Sequence, residues 1–274
     1  MKPAGLLLML LLSGLALALS SLNAQQLPAD DLAHMREELG VNNFTAPSIE
    51  KVFRQLTALQ PLTFEKLWRQ PPGDTPQSRT QIALLTGAVI ADGFLAVSAE
   101  KQSRIEPVAR ALLRLSKGLG IGDRVTKHGQ GILELAARER WPEVRRELMH
   151  AQADVEAALL DLKDEEIAHL IALGGWIRGL EITSAAVADR YTPERAQVLA
   201  QPELLDYFTA RMSTLNPNLQ RTKLVKTLRQ NTAKVQEILS RAKEKPLSEE
   251  EVKQVNGLAR EMTKALAAQE ENGQ

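Results

Sequence analysis

Two stretches of this chain are apolar around the whole helical circumference, while most of the remainder is amphipathic at three-four spacing. The first, IALLTGAVIADGFLAVSAE, covers residues 82–100; the second, EEIAHLIALGGWIRGLEI, covers 165–182. A helix with no polar side is expected at the centre of a fold, enclosed by others. Asp92, Glu100, Arg178 and Glu181 interrupt these stretches, and a charge in such a position needs a partner, water or a function.

Residues 78–189 read as five consecutive helices with tight connections. Ser103 and Glu106 suit a capping box ahead of Ile105, Val108, Leu112 and Leu115, and Gly118 and Gly120 close that helix. Asp123 is the expected cap of the next helix, Trp141-Pro142 the start of another, and Asp164 the start of the second apolar one. Short links make sequential neighbours antiparallel. Further on, Thr192-Pro193 and Pro202 open two short helices. Asn216-Pro217 is expected to cap a long helix reaching about residue 243. Ser248 and Glu251 form a second capping box. Leu224, Leu228, Val235 and Leu239 face a matching stripe of Val252, Val255, Ala259, Met262 and Leu266, which predicts a C-terminal helical hairpin. No strand-like alternation of any length occurs. The expected fold is all-α, a multi-helix bundle ending in that hairpin.

Five segments follow: a leader at 1–24, an N-terminal helical segment at 25–70, a Pro-rich linker at 71–77, a central core with short helices at 78–213, and the hairpin at 216–274. The leader has Lys2, an apolar run over 6–19 and Ala24 at a candidate cleavage point, the pattern of a secretory signal peptide. No cysteine follows it, so no lipid anchor is expected, and the mature chain is expected to be periplasmic or secreted. Neither central apolar stretch holds the roughly 20 uninterrupted apolar residues of a membrane span, so no transmembrane segment is expected after the leader.

Composition narrows the chemistry. With no cysteine there is no disulfide, thiolate metal site or cysteine nucleophile. The 34 basic and 34 acidic residues balance, which gives no overall pull toward nucleic acid. Aromatics at 4% argue against a β-sandwich. One local imbalance stands out: residues 221–245 carry eight basic and two acidic side chains, a candidate docking side for an anionic partner or a solvated surface neutralised by the acidic start of the next helix.

On a helical wheel Ile82, Val89, Asp92 and Glu100 share one sector, and Ile171, Gly174, Arg178 and Glu181 share another. Asp92 is expected to pair with Arg178 across the two helices, Glu181 completing the network. Gly87, Gly93, Gly174, Gly175 and Gly179 would permit a close crossing. His128 faces inward beside Val125 and Ile132 and reads as a hydrogen-bonded core histidine. His169 takes the less crowded side of its helix; His34 and His150 read as exposed. Glu147 with His150, and Glu166 with His169, match the Glu-x-x-His element of di-iron bundles. Their axial levels differ by roughly 13 Å, which excludes one shared site. Gly118-x-Gly120-x-Gly122 follows a helix and lacks the Lys-Ser/Thr of a phosphate loop. No serine nucleophile with a histidine base is readable.

The polar set Asp92, Arg178, Glu181, Glu100 and His128 is therefore expected to be structural or ligand-binding, with no catalytic residue, metal or cofactor assigned. The leading expectation is an exported non-enzymatic interaction or scaffold module, docking a protein partner through the C-terminal hairpin. The alternative is a helical bundle that binds a ligand or metal, conceivably an enzyme, through that polar set.

Overall fold

Helices begin where short polar side chains can receive the free N–H groups of a first turn. The computed structural model describes residues 49–161, 164–243 and 245–268. Its α-helices are α1 (Ile49–Ala58), α2 (Phe64–Leu67), α3 (Arg79–Ser98), α4 (Gln102–Leu119), α5 (Gly122–Ala137), α6 (Trp141–Asp161), α7 (Glu165–Asp189), α8 (Pro193–Ala196), α9 (Pro202–Thr214), α10 (Pro217–Arg221), α11 (Lys223–Ser240) and α12 (Glu249–Ala267). Among the described residues there is no strand, and the fold is an all-α multi-helix bundle. The leader, the helix expected near residues 29–39 and His34 lie outside the described residues.

Most expected caps are present. Asp164 accepts from Ile167 N, Thr192 from Arg195 N and Asn216 from Asn218 N, while Ser248 and Glu251 complete a reciprocal capping box; Ser78, not among the expected caps, accepts from Gln81 N. Gly120 ends α4 in the left-handed conformation, φ 84°. Three boundaries differ from expectation. Ser103 does not cap α4: Glu100 takes φ 55° and Lys101 N bonds Ala96 O, so the chain turns sharply and the helix begins at Gln102. Asp123 lies inside the first turn of α5, and Ile121 precedes that helix. The long helix expected after Asn216 is two helices, because Thr222 is extended and caps Val225 N afresh.

Helices α3 to α7 alternate in direction and form a ring. Each packs on the next in sequence, and α7 closes the ring against α3 in parallel orientation; the join between α6 and α7 is the weakest. By length and composition α3 and α7 could each cross a membrane, with mean hydropathy 1.6 and 1.3, contrary to the count of uninterrupted apolar residues. Within the fold 89% and 72% of those windows is buried, so neighbouring helices supply the apolar surroundings.

At the α3–α7 crossing, backbone meets backbone. A Cβ on Gly174 would lie 1.9 Å from the Leu84 carbonyl oxygen, and one on Gly87 the same distance from that of Ile171. Gly93 instead faces Val108 of α4, and Gly179 has nothing within 4 Å, so those two do not serve the crossing.

The Pro-rich stretch at 71–77 connects parts of one core. Leu56, Leu59, Phe64 and Leu67 before it share a buried cluster with α3, α7 and the C-terminal helices. The C-terminal hairpin is also part of that core. Its α11 and α12 stripes are buried, α12 packs on α7 as well as on α11, and Gln81 Nε2 donates to the Leu266 carbonyl. The inner side of the hairpin is thus covered by the protein itself. Removing residues 216–274 would therefore uncover α7.

Candidate functional site

Asp92 and Arg178 are brought face to face by the glycine crossing. Arg178 Nε donates to Asp92 Oδ1 at 2.7 Å, Arg178 Nη2 donates to the Leu67 carbonyl, and Arg178 Nη1 lies 3.0 Å from Glu181 Oε2. The last contact is electrostatic, since Glu181 Oε2 has no aligned hydrogen bond. Arg69, which follows α2, completes a group of two cations and two anions, 3.7 Å from Glu181 and 4.0 Å from Asp92. Its side chain is 34% exposed, against 2% for Arg178, so Arg69 is the lid of the group.

Burial raises the Asp92 carboxyl above its usual range, opposed by the adjacent Arg178 and Arg69. Burial, and then repulsion from Arg178, lowers the Arg69 guanidinium from its usual value. The two charges of each sign compensate one another, and the cluster ties the chain after α2 to both central helices. Its chemistry is that of a buried ion-pair network, capped by the partly exposed Arg69.

The other two residues of the expected set are elsewhere. Glu100 is exposed in the α3–α4 link, 4.0 Å from Arg145. His128 is buried but has its own partners on α6, with Nδ1 2.7 Å from Glu147 and Nε2 2.9 Å from Asp154. Burial works against its charge, yet the hydrogen bonds to both carboxylates prevail and its pKa is raised. In return the His128 hydrogen bond holds Asp154 below the usual carboxylate range. The imidazolium therefore clamps α5 to α6.

His169 is buried rather than on an open side. Its Nδ1 lies 2.6 Å from the Tyr207 hydroxyl, and burial, followed by repulsion from Arg211, lowers its pKa to about 4. It is neutral at pH 7. Glu166 accepts from the Asn216 N–H and Glu147 is committed to His128, so neither Glu-x-x-His element forms a metal centre. Among the described residues no group of three or more potential ligands is arranged to hold a metal ion.

One opening is separate from all these charges except His128. It is a cavity of about 480 Å³ inside the α3–α7 ring, within the roughly 300–1,000 Å³ of small-molecule sites. Its lining is predominantly apolar, drawn from every helix of the ring and also from α1, α9 and α11, and excludes Asp92 and Arg178. Ile90, Leu112, Ile132, Val155 and Ile171 on its walls are half-buried, their free sides facing the lumen. On α7 the wall of the lumen includes Ala168, Ala172, Gly175 and Gly179, small residues at three-four spacing. Sequence reasoning assigned both glycines to helix contact, which Gly175 makes with Gly87 and Gly179 does not, and missed the lumen. Their spacing along a side distinct from Gly174 and Arg178 was the available signal. No family model, curated protein or solved structure matches this chain.

Proposed function

We propose that the mature chain is an exported, non-enzymatic binding protein that holds an apolar small molecule inside its five-helix ring. The observation that carries this reading is the apolar lumen of about 480 Å³ reached by solvent, where close packing would ordinarily leave only small voids. The leader-like residues 1–24 support export. The buried, mutually paired charges support a structural part for Asp92, Arg178 and Glu181 and favour the lumen as the ligand site.

Binding of an uncharged solvatochromic naphthylamine probe to the purified mature protein tests the reading. A saturable, one-to-one fluorescence increase is expected, displaced by a medium-length alkane. Absence of saturable binding would refute it.

Partner docking remains a second reading on one observation. The outward side of α11 exposes Lys226, Arg229 and Lys234, a basic surface suited to an acidic protein partner.

A further inference from the structure

The lumen has a polar end and an apolar end. Helices α3 to α7 run alternately up and down, which brings Thr86, Ser116, Thr126 and His128 to one end of the lining; the first two are buried, and Thr126 is exposed at the rim. At the opposite end the lining is mostly apolar, with Phe94, Val97, Ile105, Ile132, Leu133 and Leu148; Thr183 there donates its hydroxyl to the Gly179 carbonyl, and Glu106 is paired with Arg110. A second buried cluster that includes Val97, Ile105, Trp141 and Val144 stoppers that end. The distance along α3 from Thr86 to Val97 is about 16 Å, the reach of an extended chain of roughly a dozen carbons.

At the polar end the Thr86 and Thr126 hydroxyls donate to the Ile82 and Gly122 carbonyls and so offer acceptor lone pairs, without a free charge. Both ring nitrogens of His128 are occupied by carboxylates, and on the rim Arg110 is paired with Glu106. A carboxylate or phosphate head would find no unpaired cation on the lining and would approach Glu147 and Asp154. A hydroxylated, uncharged head suits the Thr86 and Ser116 level.

We propose that the lumen binds a single-chain neutral lipid, with its alkyl chain toward Phe94 and Val97 and its hydroxylated head level with Thr86 and Ser116. The proposal rests on the apolar-ligand reading above and adds chain length, orientation and head chemistry.

The test compares 1-monolauroylglycerol, laurate and dodecyltrimethylammonium, which share a twelve-carbon chain, by calorimetry and native mass spectrometry at pH 7.5 below their micelle concentrations. One-to-one binding of the glyceride, at least tenfold tighter than the two ions, is expected. Gly179→Leu, whose side chain would enter open lumen, should abolish binding with an undiminished melting temperature. Ala172→Leu on the same stripe gives an independent block should Gly179→Leu misfold. Equal affinity for the three heads, tighter binding of either ion, or glyceride binding that survives both blocking variants overturns the proposal. If none of the three lipids binds while the naphthylamine probe does, the proposal fails and the apolar-ligand reading stands; if the probe also fails to bind, both fall.

Discussion

Replacing glycine by alanine at three points of the central helices separates backbone contact from helix propensity. In a free helix each change would stabilise by about 1 kcal/mol. At Gly174 the new Cβ would lie 1.9 Å from the Leu84 carbonyl oxygen, whereas real Cβ contacts essentially never fall under 3.0 Å. The obstructing atom is backbone and cannot swing aside, so α3 and α7 must part locally by roughly 1 Å. That shift would stretch the 2.7 Å Arg178–Asp92 bond to roughly 3.7 Å, past hydrogen-bond reach. Overpacking costs about 1–3 kcal/mol and a broken buried ion pair about 3–5 kcal/mol. With the propensity gain set against them and partial relaxation allowed, Gly174→Ala should destabilise by about 2–5 kcal/mol. Gly87→Ala meets the Ile171 carbonyl at the same distance and should behave alike. Gly179→Ala meets nothing within 4 Å and should stabilise by about 0.5–1 kcal/mol. Urea unfolding followed by far-ultraviolet circular dichroism measures all three at constant slope. A midpoint for Gly174→Ala equal to or above that of Gly179→Ala would refute the crossing.

Two further outcomes follow from the charges. Arg178→Met leaves Asp92 and Glu181 with only the half-exposed Arg69 and should cost about 3–5 kcal/mol in the same urea assay; adding Asp92→Leu and Glu181→Met should recover most of that loss, and no recovery would count against a purely structural cluster. His128 has a folded pKa raised above its unfolded value near 6.5, so its stabilisation is complete below about pH 6.5 and disappears as pH rises through the raised value. His128→Gln should therefore destabilise by about 1–3 kcal/mol at pH 6 and by less at pH 9, measured as the change in urea midpoint; a pH-independent difference would contradict the clamp.

Asp92 and Arg178 were legible because a charge on an all-apolar helix has few physical options, and an arginine on the only comparable helix is the obvious one. Arg69 was not: it follows a one-turn helix next to the Pro-rich stretch, where no periodicity indicates its direction. Glu147 and Asp154 are seven residues apart on α6 and so share a side, yet nothing in α5 alone says which side meets His128. Glu100 was assigned by wheel position, a construction that fails once the backbone leaves helical geometry, as it does there at φ 55°. The helix order and most caps were readable because they depend on local chemistry. The break at Thr222 is hard to read because the apolar stripe begins only at Leu224 and the short turn before it buries no side chain. The lumen was the least legible feature: periodicity shows which side of a helix is apolar, and not whether another side chain fills the space in front of it.

Ring closure at the glycine crossing has a kinetic consequence. The contacts of α3 with α4, α4 with α5, and α5 with α6 link neighbours in sequence, whereas Asp92 and Arg178 are 86 positions apart. Bringing such distant segments together carries a chain-entropy cost that the local hairpins do not. A one-residue slip of α7 that brought Leu173 in place of Gly174 would also set a side chain against the Leu84 carbonyl. The long-range step therefore checks register as it occurs: the lumen is completed only in a chain that has docked its two central helices correctly.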